Sequence, residues 1–153
     1  MEQKVEKQAS LESVPVKRLK RELKYQGTIL KMYEDTVEVN GHQAKWDFIH
    51  HDGAAAVLPV TEDGKILMVR QYRNALERET LEIPAGCRDS KTEDTAYCAA
   101  REMEEETGYR STNVKHLLSL RTTVAFCDEA VDIFVATDLE VGARHLDEAE
   151  SID

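Results

Sequence analysis

Three glutamates at fixed spacing are the residues of this 153-residue chain that best suit chemistry. On a helix, Glu102, Glu105 and Glu106 lie side by side, because residues three and four apart are neighbours on its surface. Such carboxylates repel one another, and near the C-terminal end of a helix the macrodipole favours cations instead. A hard divalent cation such as Mg²⁺, with Mn²⁺ as the alternative, offsets both effects. The competing interpretation is a solvated acidic face with Arg101 as its counter-charge.

The charge of the chain also indicates that cations mediate its contact with an anionic substrate. Its formal net charge is −10, which argues against a general nucleic-acid binder. Residues 1–24 have a balance of +3, so the remainder carries −13. The basic N-terminal residues are either a contact for an anionic partner or a solvated terminus, and we expect the solvated terminus.

A helix is predicted for residues 93–108, with Ser90 and Glu93 as a capping box and Gly108 as the glycine that ends it. Its other face is apolar and is expected to pack on a sheet. The residues of that face are Ala96, Ala99, Ala100, Met103 and Thr107.

Short apolar segments separated by turn signals predict a chain rich in strands. The predicted strands cover residues 26–32, 36–39, 42–50, 54–60, 65–72, 80–83, 114–123 and 130–137. Asn40-Gly41 is a hairpin turn signal, and residues 65–72 are expected to form a hairpin with residues 54–60. We therefore predict an α+β fold, a layered αβα sandwich with a mixed sheet, preceded by a small N-terminal antiparallel sheet.

Length and composition predict one globular domain with its own hydrophobic core. The longest apolar runs are too short to span a bilayer, and no N-terminal signal is evident, so a cytoplasmic location without membrane partners is expected. The three cysteines lack zinc-type spacing, which favours reduced thiols.

The segment from Gly86 to Tyr109 resembles the Nudix box. That motif reads Gly, five residues, Glu, seven residues, then Arg-Glu-apolar-x-Glu-Glu-x-Gly-apolar, and every defined position from Glu93 to Tyr109 matches it. One departure is that six residues, not five, separate Gly86 from Glu93. Because loops accept an added residue more readily than helices do, we expect a local bulge there.

Within the Nudix proteins, the chain most resembles the ADP-ribose pyrophosphatases. Residues 81–86, Leu-Glu-Ile-Pro-Ala-Gly, and residues 69–73, Val-Arg-Gln-Tyr-Arg, are typical of them. Residues 1–20 lack clear periodicity and are expected to form a flexible arm. The resemblance implies an N-terminal sheet of residues 21–51 that forms a homodimer, and a catalytic domain of residues 52–153. The family's usual C-terminal helix has no counterpart before Asp153, which would leave one sheet face open or covered by a partner.

The resemblance also assigns the metal site by position. Glu102 and Glu106 are the expected main ligands, with Glu105 close by, and Ala85 contributes its carbonyl. Arg101 is expected to orient a carboxylate of the box, such as Glu93 or Glu105.

Four residues outside the box are expected to bind the substrate. Arg73 would contact the phosphates, since its planar fork of donors suits them, and the alternative is a surface strand arginine. Glu82 would bind substrate or support the metal, or it is a simple edge-strand carboxylate. Trp46 would stack on adenine and Asp47 would bond the base, while the alternative for Trp46 is burial in a dimer interface.

The resemblance implies a general base late in the chain, with Glu148 as first choice and Glu150 as second, the alternative being a solvated acidic tail. The expected reaction is Mg²⁺-dependent hydrolysis of ADP-ribose to AMP and ribose 5-phosphate. The alternatives are hydrolysis of another nucleoside diphosphate sugar, or a non-catalytic module that senses ADP-ribose.

Overall fold

The computed structural model describes residues 16–146 and Ile152, so most of the predicted N-terminal arm, Glu148 and Glu150 lie outside the described residues. Within the described part, the chain forms one helix and eleven strands. The helix is α1 (Thr95–Thr107). The strands are β1 (Val16–Gln26), β2 (Leu30–Val39), β3 (His42–His51), β4 (Ala54–Pro59), β5 (Val69–Arg73), β6 (Arg78–Glu82), β7 (Ala85–Cys87), β8 (Tyr109–Arg110), β9 (Asn113–Arg121), β10 (Ala130–Thr137) and β11 (Glu140–Val141).

The first three strands form a separate antiparallel sheet in the order β1-β2-β3. Its second turn is the predicted Asn40-Gly41 pair, with φ of 53° and 78°. Both angles lie in the left-handed region that asparagine and glycine tolerate best. Strand β1 starts at Val16, so the boundary of the flexible arm at residue 20 was placed too late.

The main sheet is mixed, in the order β7-β4-β10-β9, with β4 parallel to β10 and the other pairs antiparallel. Helix α1 packs on one face of this sheet. The core between them consists of Ala55, Val57, Cys98, Ala99, Met103, Phe134 and Ala136. The predicted mixed α/β architecture is confirmed, with a single helix in residues 16–146. No helix in that range is long and apolar enough to cross a membrane.

The predicted hairpin between residues 54–60 and 65–72 is wrong. The turn itself exists, since Thr61 N–H donates to the Lys65 carbonyl at 2.8 Å, but pairing beyond it is limited to the bridge between Val60 and Ile66. Strand β4 instead pairs with β10 and β7, and β5 pairs with β6 in a two-stranded sheet of its own. Burial explains the choice: β4 is largely buried and is satisfied in the centre of the main sheet.

The N-terminal sheet is joined to the main sheet at the end of β3. Ile49 N–H donates to the Phe126 carbonyl at 2.7 Å, and Asp128 N–H donates to the Ile49 carbonyl at 3.1 Å. His50 lies between two carboxylates, with Nδ1 at 2.7 Å from Asp128 and Nε2 at 3.1 Å from Asp52. These contacts fix where the N-terminal sheet meets the loop ahead of β10.

The ends of α1 are set by capping. The N-cap is Asp94, whose carboxylate accepts hydrogen bonds from the N–H groups of Ala96 and Tyr97, both at 3.0 Å. The predicted capping box with Ser90 is therefore wrong, because Ser90 lies a turn earlier. Gly108 ends the helix as predicted, with φ of 73° and its N–H donating to the Glu104 carbonyl at 2.9 Å.

Candidate active site

The three glutamates of α1 lie at the edge of the helix face that packs on the sheet. Glu102 and Glu106 are buried, with 7% and 3% of their surface exposed, whereas the Glu105 side chain is 38% exposed. Glu106 accepts a hydrogen bond from the Ala85 N–H at 3.2 Å. The structure thus places Glu106 beside the strand that carries Ala85, two residues that the resemblance assigned to one metal site.

Arg101 is the positively charged residue around which the carboxylates of this cluster are arranged. Its Nη1 donates to Glu102 at 2.8 Å and to Glu105 at 2.9 Å, and its Nε donates to Glu93 at 3.3 Å. Asp89 is a further partner at 3.7 Å. Burial opposes the charge of the guanidinium, but Glu102 and Glu93 outweigh it and raise the pKa of Arg101. Arg101 thus contacts both carboxylates that the resemblance offered as its partners, Glu93 or Glu105, and its role in orienting them stays a prediction.

Carboxylates outnumber cations at this site, which leaves the cluster with an excess of negative charge around one guanidinium. Among the described residues, no three side chains of the types that bind metals converge into a ready-made metal site. The donor set nevertheless fits Mg²⁺, which needs only one or two protein carboxylates and takes its other ligands from water and substrate phosphates.

Gly86 leaves space for the Glu102 carboxylate directly against the backbone. A Cβ at residue 86 would lie 2.1 Å from the Glu102 Cδ, closer than any two such atoms can approach. The backbone conformation itself does not demand glycine there, since its φ is not in the left-handed region. The need for glycine in this motif is therefore steric: it lets a buried carboxylate lie against strand β7.

The loop with the extra residue is held by Arg88, a residue that the sequence analysis did not single out. Its Nε donates to the Glu93 carbonyl at 3.0 Å, and its Nη2 donates to the carbonyls of Lys91 and Glu93. Asp89 N–H donates to the Glu93 carboxylate at 2.7 Å. Hydrogen bonds between residues of the loop thus hold it in place ahead of α1, and the Glu93 carboxylate still contacts Arg101.

The side chains of Arg73 on β5 and Glu82 on β6 form an ion pair along the strands, although the register places Arg73 opposite Arg78 and Glu82 opposite Val69. Arg73 Nε and Nη2 donate to the two Glu82 oxygens at 2.8 and 2.5 Å, and the Thr80 hydroxyl also donates to Glu82. The hydrogen bond from Arg73 lowers the pKa of Glu82 to about 2. The pKa of Arg73 is raised by Glu82 first and, among smaller contributions, by Glu106, so the pair lies within the field of the acidic helix.

Trp46 and Asp47 lie on β3, opposite Asp35 and Glu34 of β2. The Trp46 side chain is about half exposed. Within residues 16–146, no hydrogen bond or ion pair links either side chain to α1, and the structure of one chain does not bring the two residues to the acidic face in that way.

A cleft of about 550 Å³ runs along the outer side of α1. Arg101 and Glu105 form part of its wall, and residues from beyond the helix, among them Arg110 and His145, line the opposite side. Sequence patterns do not predict this cleft, because it is formed by segments that are distant along the chain. Glu105 is therefore accessible from solvent.

Comparison with known proteins relates this helix to a family. Residues 49–152 match the family described as NUDIX domain. The chain is 40% identical over 146 residues to the ADP-ribose pyrophosphatase of Bacillus subtilis (strain 168), which covers 94% of this chain and 78% of that protein. It is 41% identical over 140 residues to the methanol dehydrogenase activator of Bacillus methanolicus, covering 90% and 75% of the two chains.

A further relative and a solved structure are also similar to this chain. The ADP-ribose pyrophosphatase of Mycobacterium tuberculosis (strain ATCC 25618 / H37Rv) is 36% identical over 128 residues, covering 81% of this chain and 62% of that protein. The crystal structure of an ADP compounds hydrolase superposes with a TM-score of 0.79 at 22% identity, covering 90% of this chain and 75% of that one. At this identity the likeness shows a shared fold.

Proposed function

The chain belongs to the Nudix family of hydrolases, and we propose that it hydrolyses the diphosphate bond of ADP-ribose. One water is consumed, and AMP and ribose 5-phosphate are released. Support for this substrate comes from the two relatives named ADP-ribose pyrophosphatase, of which one is 40% identical over most of this chain.

The observation that carries the proposed chemistry is the pair of buried carboxylates, Glu102 and Glu106, on α1 beside Gly86. Burying two carboxylates in one small region is costly unless cations compensate them, and Arg101 supplies one positive charge for several acids. Glu102, Glu105, Glu106 and the carbonyl of Ala85 would hold Mg²⁺ or Mn²⁺. When bound, the ion neutralises diphosphate oxygens and makes water a stronger acid.

The protein's own side chains orient the substrate and move the proton. Arg73 donates to a phosphate oxygen once the substrate competes with Glu82, whose bidentate contact holds the guanidinium ready in one plane. Arg101 keeps the box carboxylates in place. Glu148, or Glu150 in its place, accepts the proton of the attacking water.

Recognition of the adenine is assigned to the N-terminal sheet. Trp46 stacks on the base and Asp47 accepts a hydrogen bond from it. Because no hydrogen bond or ion pair within residues 16–146 ties these side chains to α1, this assignment fits a homodimer in which the sheet of one subunit serves the site of the other. The free thiols of Cys87, Cys98 and Cys127 support a reducing compartment such as the cytoplasm.

The test is product formation from a panel of substrates. The purified protein is incubated with ADP-ribose and with other nucleoside diphosphate sugars, in Mg²⁺ or in EDTA, and nucleoside monophosphate release is measured. We expect AMP from ADP-ribose in Mg²⁺ and none in EDTA. Faster release from another sugar would assign that compound as the substrate. Tight ADP-ribose binding without any metal-dependent product would replace the enzyme with a sensor.

A further inference from the structure

Arg144 connects two segments through one guanidinium. It lies after β11, and its Nε donates to the backbone carbonyl of Glu106 at 2.8 Å. Its Nη2 donates to the backbone carbonyl of Ile152 at 2.5 Å. Both acceptors are main-chain oxygens, so the contacts fix the path of the backbone rather than one side chain.

The first contact satisfies the C-terminal end of α1. The last carbonyls of a helix have no partner within it, and a cation there interacts favourably with the helix dipole. No basic residue lies in the last turn of α1, which instead carries acidic side chains. Arg144 provides the missing cation from another segment, and the neighbouring Glu105 carbonyl accepts the His145 N–H at 3.1 Å.

The second contact leads to the strand that carries Arg73. Ile152 is buried, with 4% of its surface exposed, and it forms an antiparallel bridge with Gln71 of β5. Gln71 is two residues from Arg73 on the same strand. A chain of contacts therefore runs from the Glu106 backbone through Arg144 and Ile152 to β5.

We propose that Arg144 is a positioning residue for diphosphate hydrolysis, which sets the acidic end of α1 at a fixed distance from Arg73. It touches neither substrate nor metal; it acts through the backbone of Glu106 and through Ile152. This role rests on the function proposed above. If metal and phosphate must be held by α1 and β5 at once, loosening the connection between them costs turnover more than substrate binding.

The experiment compares Arg144→Met and Arg144→Lys with wild type. Lysine keeps the positive charge at the helix end but lacks the planar fork that reaches two carbonyls. For Arg144→Met we expect kcat to fall about tenfold with KM changed by less than about twofold. The dissociation constant for Mg²⁺ alone, measured by calorimetry, should rise about tenfold. Arg144→Lys should recover most of the Mg²⁺ affinity and little of kcat.

Arg121→Met is the matched control. Arg121 is exposed, and its Nη1 also donates to a backbone carbonyl, that of Asp128 at 2.9 Å. It does not line the cleft beside α1, so its loss should leave kcat, KM and Mg²⁺ affinity unchanged. A purely structural role for Arg144 would lower Tm while kcat and Mg²⁺ affinity stayed at wild-type values, and that result would overturn the proposal. If Arg144→Met does not fold, Arg144→Lys decides.

The metal measurement keeps this test separate from the proposed reaction. If the wild type releases no product from any substrate, the proposed function fails, yet Mg²⁺ affinity still reports on Arg144. Equal Mg²⁺ affinity in wild type and Arg144→Met would then reject the positioning role.

Discussion

Two arginines of this protein, Arg21 and Arg101, are surrounded by carboxylates in different ways. Arg21 makes a planar two-point contact with one partner, Asp35, at 2.7 and 2.6 Å. Its guanidinium lies 3.7 Å from the centre of the Phe48 ring and 5.4 Å from that of Tyr33. Arg18 also lies 3.9 Å from the Asp35 carboxylate, so the buried anion on this aromatic surface is fully compensated and no negative charge is left over.

Around Arg101 the charges do not balance. Three glutamates contact it within 3.3 Å, and Glu106 lies on the same helix edge. The comparison teaches that ion-pair count alone does not reveal function. The Asp35 carboxylate is matched by arginines within the N-terminal sheet, whereas several carboxylates share Arg101, as the proposed cation site requires. The predictions below test that distinction.

The largest effect is expected from Glu106→Gln, which removes one charge from the incomplete cluster. Glutamine keeps the size of the side chain and an oxygen that accepts the Ala85 N–H. Turnover of ADP-ribose should fall about 10²- to 10³-fold, since an electrostatic contribution to the transition state is lost, while Tm stays close to wild type. Steady-state rates and thermal unfolding would show both.

Glu104→Gln is the control for this prediction. Glu104 lies on the same helix, outside the buried pair, and its charge should matter little to turnover. If both variants lost activity equally, the general acidity of α1 would explain the effect, and the ligand assignment of Glu106 would be wrong.

A smaller loss is expected from Gly86→Ala. The new Cβ would lie 2.1 Å from the Glu102 Cδ, so the carboxylate must move, and a displacement of about 1 Å in such a group costs up to about 10²-fold in rate. We expect a 10- to 100-fold slower turnover. Gly64→Ala is the comparison, because Gly64 has φ of +77° with no atom near its Cβ position; it should lower Tm without slowing turnover.

Breaking the balanced pair should instead affect stability. Asp35→Asn leaves Arg21 without a charged partner, and we expect a loss of about 2 kcal/mol in the free energy of unfolding. The catalytic rate of the folded protein should not change. Chemical denaturation gives the first value and kinetics the second. Glu34→Gln, next along β2 and paired with Lys45 on the surface, should leave the denaturation midpoint unchanged.

The smallest effect, a change in stability, is expected at the Arg73–Glu82 ion pair, in which one cation compensates one carboxylate. Arg73 lowers the pKa of Glu82 from 4.5 to about 2. The stability from this pair is therefore fully present above pH 4.5 and is lost as pH falls towards 2. Glu82→Gln should cost about 1 kcal/mol at neutral pH, and the gap to wild type should close in acid. A gap that persisted at pH 2 would contradict the ionic origin.

Local signals in the sequence were sufficient for most individual elements. The strand of residues 130–137 was predicted at its observed bounds, and the Asn40-Gly41 turn and the Gly108 cap followed from their backbone preferences. Pairing was harder. The turn after β4 is real, but partners far along the chain compete with the local one, and burial of β4 in the main sheet prevailed.

In the candidate site, too, local features could be predicted from the sequence, whereas contacts between distant segments could not. The adjacency of Glu102, Glu105 and Glu106 follows from helical spacing and needs no tertiary information. Arg88 and Arg144 donate hydrogen bonds to backbone carbonyls. Because every residue has a backbone carbonyl, the sequence does not indicate which of them accept these bonds. Asp94 is the cap instead of Ser90 because its carboxylate accepts hydrogen bonds from two N–H groups of the first turn, whereas the Ser90 hydroxyl lies beside Thr92.

The parallel pairing of β4 with β10 has a consequence for how the protein is made. Ala54 of β4 pairs with Val131 of β10, which is synthesised much later. Strands β1, β2 and β3 are instead joined by short turns, and their sheet is fully synthesised once the chain reaches His51. On a ribosome, the N-terminal sheet can therefore form early, while the apolar β4 has only the short strand β7 as a partner until β10 emerges. Pairings between strands far apart in the sequence slow folding, and the unpaired apolar strands stay exposed until those pairings form. Between those two events, the exposed apolar strand makes the growing chain most prone to aggregation.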